Sequence, residues 1–179
     1  MTTYHALANL NSIAAQDVNA YSSHFVSASS LDNGNICVLL TKSATTGQGE
    51  VWTATAPSSA SSTGVFIVDT PVLPFVLNAA GEKINGIGTA RDFYTIAGEV
   101  GVARRLQLGD EILVSAEDLD SSTTAAYAIP VAGTFKMAWS AVTVSGFYLE
   151  YIETGYISVP DGTIGTGRVP AFRFRVAHI

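Results

Sequence analysis

Short apolar runs bounded by Gly, Pro, Asn, Asp or Ser recur from residue 24 to the C-terminus. Ala171 to Ala177 alternates, with Phe172, Phe174 and Val176 on one side and Arg173 and Arg175 on the other. That is the period-two pattern of a half-buried strand. Glu50 to Thr55 alternates in the same way, with Val51, Thr53 and Thr55 opposite Trp52 and Ala54. Val65–Val68, Tyr127–Val131, Thr134–Trp139 and Gly155–Val159 predict further short strands, and Ala141–Ile152 predicts one long strand or two broken at Gly146. Many short strands between turn signals predict an all-β fold, a sandwich or barrel. Residues 1–23 read differently. Leu7, Leu10, Ala14, Val18 and Tyr21 recur at spacings of three or four, which fits one helical face; the alternative is an extended arm ordered on a partner. The expected organisation is an N-terminal arm or short helix over 1–23 and a β-domain over 24–179.

Turn residues punctuate this pattern. Asn33-Gly34 between two apolar-rich runs predicts a hairpin over His24–Thr41, because a type I′ turn needs positive φ at both central positions. Its returning half, Asn35 to Thr41, is apolar throughout and predicts a central strand. Pro71 and Pro74 keep their segment out of a central ladder. The densest signal is Arg91 to Leu119. There a Gly-rich apolar segment leads through Arg104-Arg105 to a Gly109-Asp110 turn, the strand Glu111–Ser115 and the acidic residues Glu117, Asp118 and Asp120. It reads as scaffold. Pro160-Asp161-Gly162 marks another turn.

Composition narrows the function. Of the 179 residues, 47% are hydrophobic but only 13% are charged, about half of the usual ~25%. Ser and Thr fill the gap, as in a protein that packs against neighbours or an extracellular adhesin. The net charge of −6 argues against nucleic-acid and anionic-membrane partners, which need clustered Lys and Arg. The lone Cys37 lies in an apolar run and predicts a buried core residue; it has no intrachain disulfide partner. No basic segment precedes an apolar stretch at the N-terminus and no apolar run is long enough to span a membrane, so synthesis in the cytoplasm is expected.

No catalytic, cofactor or metal site is expected. His5, His24 and His178 are scattered without other ligand types at metal spacing, and His5 and His178 are expected to be solvated. Glu117, Asp118 and Asp120 lack the full calcium-loop spacing and read as a solvated acidic loop. There is no nucleophile elbow. Gly86-Ile87-Gly88-Thr89-Ala90-Arg91 carries Arg where a dinucleotide loop needs its third Gly. Trp52 and Trp139 read as core residues. Arg104, Arg105, Arg173 and Arg175 stand out in so acidic a chain. They are the candidate partner-binding residues, against a reading as ordinary surface charge.

The order of short motifs resembles the auxiliary head proteins of tailed bacteriophages, which decorate or stabilise a capsid. The segments that carry the resemblance are Leu31-Asp32-Asn33-Gly34-Asn35-Ile36, Gly49 to Pro57, Val65 to Pro71, Ala97-Gly98-Glu99 through Ala103-Arg104, Leu108 to Ile112, and the β-rich tail. It spans roughly Ser30 to the C-terminus. It implies a non-enzymatic virion protein on the capsid exterior, bound to the major capsid protein; proteins of this kind are often homotrimers at local threefold positions, and other stoichiometries occur. The alternative is a carbohydrate- or receptor-binding β-domain of a tail fibre or adhesin, with Tyr148, Tyr151 and Tyr156 in a groove. A small β-barrel hydrolase would need a nucleophile or metal set that the sequence does not offer.

Overall fold

Apolar alternation becomes strand nearly wherever it occurs. The computed structural model describes residues 4–14, 19–44, 49–73, 75–78, 80–85, 89–120, 124–160 and 166–179. In chain order the strands are β1 (Ala8–Ser12), β2 (Ser22–Ser27), β3 (Ile36–Lys42), β4 (Trp52–Thr55), β5 (Val65–Val68), β6 (Phe75–Leu77), β7 (Lys83–Asn85), β8 (Val100–Arg105), β9 (Glu111–Ser115), β10 (Tyr127–Pro130), β11 (Met137–Ser140), β12 (Tyr148–Pro160) and β13 (Thr166–His178). They form a closed barrel, β2-β4-β3-β5-β8, an open sheet, β1-β9-β13-β12-β10-β11, and a separate two-stranded sheet, β6-β7. The fold is all-β, as expected.

One strand pair joins the two larger units. Ile36 and Ile67 face each other across β3 and β5 and point out of the barrel, while Cys37 and Val68 point in. The outward side, with Val65, packs on Ile112, Val114, Leu149, Phe174 and Val176 of the open sheet and forms the main core. The inward side joins Phe25, Leu31, Ala54 and Ala103 in the barrel interior. Ile36 and Cys37 are both fully buried, so the start of β3 is buried on two faces and has no polar side; the strand then emerges, and Leu40 is exposed. The Arg91–Leu119 stretch supplies β8 to the barrel and β9 to the sheet, with the Leu106–Asp110 turn as the crossing. Gly109 takes φ +91, and Asp110 accepts from Gln107 N at 2.7 Å and from Ala14 N at 2.9 Å.

Three sequence expectations are corrected. Residues 4–13 are not helical, and helical geometry of the 3-10 kind appears among the described N-terminal residues only at Ala14 and in the short turn Asn19–Tyr21. Ala8–Ser12 is a strand that pairs antiparallel with β9, and Leu7, Leu10 and Ile13 are buried. The outer edge of β9 needs backbone partners, and Asn9 and Asn11, poor helix formers, alternate with buried Leu10 as a strand requires. The segment is part of the sheet and not a free arm. The predicted hairpin over 24–41 does not form either: β4 lies between β2 and β3, parallel to β2. Asn33 is not in the left-handed region, so the turn is not type I′; Gly34 alone has positive φ, at +100. The Asn33 amide instead grips the Thr70 backbone, donating to its carbonyl at 2.8 Å and accepting from its N–H at 2.9 Å. Finally, Gly155–Val159 is not a separate strand but the outer half of β12, which runs thirteen residues against β13. Val18, Pro74, Gly86-Ile87-Gly88, the turn at Asp161-Gly162 and parts of the loops at 43–48 and 121–126 lie outside the described residues.

Candidate functional site

The four expected partner-binding arginines do not converge. Arg173 and Arg175 sit on the solvent side of β13, where strand register places Arg175 opposite Glu150 and Glu111, and Arg173 opposite Glu153 on β12 and Leu113 on β9. Arg173 donates to Glu153 at 2.9 Å and lies 3.8 Å from Glu111, and Arg175 donates to Glu111 at 2.9 Å. They form a cross-strand charge ladder within the chain. Arg104 is on the barrel, bonded to Asp69 and, at 2.8 Å, to the Ser22 hydroxyl. Arg105 is exposed, and its side chain has no hydrogen bond or ion pair among the described residues.

The tyrosines do not share a groove. Tyr148 stacks on His178, with ring centroids 5.8 Å apart. Tyr151 packs edge-on against Trp139 and lies against Phe172 and Phe174. Tyr156 is 59% exposed.

The most concentrated chemistry lies where barrel and sheet meet. A short 3-10 turn, Ala116–Asp118, follows β9 and carries the Asp118 side chain inward, so Asp118 is not part of a solvated loop, while Asp120 is exposed as expected. Asp118 is fully buried. One carboxyl oxygen accepts from Asn35 Nδ2 at 3.0 Å; the other has no hydrogen-bond partner among the described residues. That oxygen lies against Gly34, where a Cβ would fall 2.2 Å from it. Burial pushes the Asp118 carboxyl well above the usual carboxylate range. The nearby Asp32 charge and, more weakly, Glu117 push the same way, while the Asn35 hydrogen bond and Lys136 oppose them. Glu117 pairs with Arg91 at 2.5 Å, and the Arg91 guanidinium lies over the Tyr4 ring at 4.0 Å.

In front of Asn35 opens a cleft of about 410 Å³, formed by Tyr4, His5, Asp32 and Asn35 against Phe135 and Lys136. His5 is not free in solvent: Nδ1 meets Asp32 at 2.7 Å and the ring stacks on Tyr94 at 4.3 Å. The Ala6 N–H donates to the second Asp32 oxygen at 3.1 Å. Sequence spacing could not reveal this cluster, because positions 4–6, 32–35, 117–118 and 135–136 meet only through long-range pairing. The Leu31–Asn35 turn signal was the one local hint. Among the described residues no group of three or more His, Cys, Asp or Glu side chains is arranged to hold a metal, and no helix is long and apolar enough to cross a membrane.

Comparison with protein-family models finds no match. Neither the curated proteins nor the solved structures contain a match.

Proposed function

We propose that this chain is a non-enzymatic structural protein of a tailed-phage virion, docking on the outer surface of the major capsid protein lattice. One observation carries the reading beyond the resemblance. Val72, Leu73, Leu77 and Ile84, all within the β6–β7 hairpin and its approach, are exposed. Register puts Leu77 and Ile84 on opposite faces of the hairpin, so apolar side chains are exposed on both; two-stranded sheets are marginal alone, and exposed apolar surface on such an element favours a protein partner. The Lys83–Glu99 ion pair and the packing of Phe75 on Phe93 and Tyr94 tie the hairpin to the body. The docking face is therefore this hairpin, with Arg105 as the accessible cation, in place of the internally paired Arg173 and Arg175. Many equivalent copies on a lattice let modest single-site affinity suffice through avidity.

The test is co-sedimentation of the purified protein with capsids that lack it. Saturable binding at a fixed ratio to the major capsid protein, lost in Leu77→Ser/Ile84→Ser with strand content intact by circular dichroism, is the expected result. Absence of binding overturns the proposal, and binding on a glycan array would favour the carbohydrate-binding alternative. Solution mass separates a monomer of 18.7 kDa from a homotrimer. Deleting residues 1–23 is not a clean docking test, because Leu10 and Ile13 belong to the main core.

A further inference from the structure

We infer that Lys136, Asn35 and Asp118 form a self-processing site that joins the Lys136 amine to the Asn35 side chain as an intramolecular amide. The inference does not depend on capsid docking.

Two of the three side chains, Asn35 and Asp118, are already in contact, and the third, Lys136, lines the cleft in front of Asn35. The Asn35 side chain is nearly buried and held at both ends. Its carbonyl oxygen accepts from the Asp32 backbone N–H at 3.0 Å, and its amide nitrogen donates to Asp118 at 3.0 Å. A backbone donor therefore faces the oxygen on which charge develops during attack, and a carboxyl group faces the nitrogen that must leave. The nucleophile comes from the opposite wall of the cleft. The Ile36 N–H donates to the Phe135 carbonyl at 2.8 Å, which sets residues 35–36 beside 135–136. Lys136 and Asn35 line the same cleft, and the Lys136 charge acts on Asp118.

The step balances without an external reagent. The neutral Lys136 Nζ attacks Asn35 Cγ and forms a C–N bond. The Cγ–Nδ2 bond breaks and the nitrogen departs as ammonia. Nζ gives up one proton and the leaving nitrogen gains one; the Asp118 carboxyl, which touches that nitrogen, carries it. Burial favours the protonated form of this carboxyl, the state needed to supply a proton. Lys136 is on the solvent side of the cleft. Amines attack only when neutral, so the reaction quickens as pH rises.

The product would link the residue just before β3 of the barrel to the residue just before β11 of the sheet, at the interface between the two units. The full chain is incubated at neutral and at mildly alkaline pH and its intact mass is followed. The expected result is loss of the mass of one ammonia, faster at the higher pH, with a proteolytic peptide in which residues 35 and 136 are joined and a raised Tm. Lys136→Arg keeps the charge at an exposed position and should abolish the loss; Asp118→Asn keeps the shape and should slow it at least tenfold. A succinimide at Asn33-Gly34 loses the same mass, but it joins no peptide to Lys136 and persists in Lys136→Arg. An unchanged mass at alkaline pH, or a loss that survives Lys136→Arg, overturns the inference.

Discussion

Every strand of the barrel has two neighbours, whereas the open sheet ends at β1 on one side and β11 on the other. The barrel closes with strands of four to seven residues and fills its interior with Phe25, Leu31 and smaller residues. The sheet relies on two strands of thirteen residues and a larger aromatic content, with Trp139, Tyr151, Phe172 and Phe174 packed edge-to-face or tilted. The outer half of β12 has no second strand neighbour among the described residues, since β10 pairs only with Leu149 and Glu150. Closure leaves the barrel little room for change. The sheet has slack, because its outer half meets solvent on one face.

The largest expected effect comes from emptying the barrel. Phe25→Ala should cost about 3–5 kcal/mol, read as a fall in the urea midpoint. A smaller loss than that of Val159→Ala in the outer part of the sheet would contradict the contrast. Two glycines make a matched pair. A Cβ at Gly101 would lie 2.5 Å from the Phe25 ring and 2.8 Å from Thr70 Oγ1, whereas one at Gly155 would meet only Leu113 Cδ1, at 3.2 Å. Gly101→Ala should destabilise by about 1–3 kcal/mol. Gly155→Ala should stay within about 1 kcal/mol of wild type. Equal effects in thermal melts would mean that the sheet is packed as tightly as the barrel.

Asp118 sharpens the comparison at the junction. Its folded pKa is raised, so its contribution to stability is fully present below the unfolded carboxyl value and is lost as pH rises through the folded one. Stability of wild type should therefore fall with rising pH across that window, and Asp118→Asn should flatten the fall. Identical slopes of unfolding free energy against pH would exclude Asp118 as the cause. The smallest effect is expected on the solvent side of the sheet. Arg173→Ser and Arg175→Ser should each cost about 0.2–1 kcal/mol, diminishing with added salt. For docking, Arg105→Ser is the informative change, because Arg104→Ser also removes the brace to Asp69 and Ser22.

Much of the architecture was legible before any coordinate. Period-two alternation marked β4 and β13, the apolar run after Asn35 marked a central strand, which β3 is between β4 and β5, and Gly109-Asp110 marked the turn into β9. Partner choice was not legible. Asn33-Gly34 signals a reversal, yet which strand lies beside β2 depends on barrel closure, which brings in Trp52–Thr55 from beyond the turn. Leu7, Leu10 and Ala14 fit a helical period as well as the spacing of a strand followed by a bend. The vacant edge of β9 decided between them. The candidate arginines were legible as unusual residues, but the acids that occupy three of the four became visible only with the register of β13, β12, β9 and β5.

The sequence by itself determined the class of fold, the strand positions and the sparse charge, because side-chain alternation and turn chemistry act over a few residues. The tertiary structure alone decided that Asp118 is buried on Asn35 and Gly34, and that Lys136 lines the cleft in front of Asn35. Those contacts join residues 83 or more positions apart in the chain. They exist only because burial of one apolar core between barrel and sheet brings the two units together.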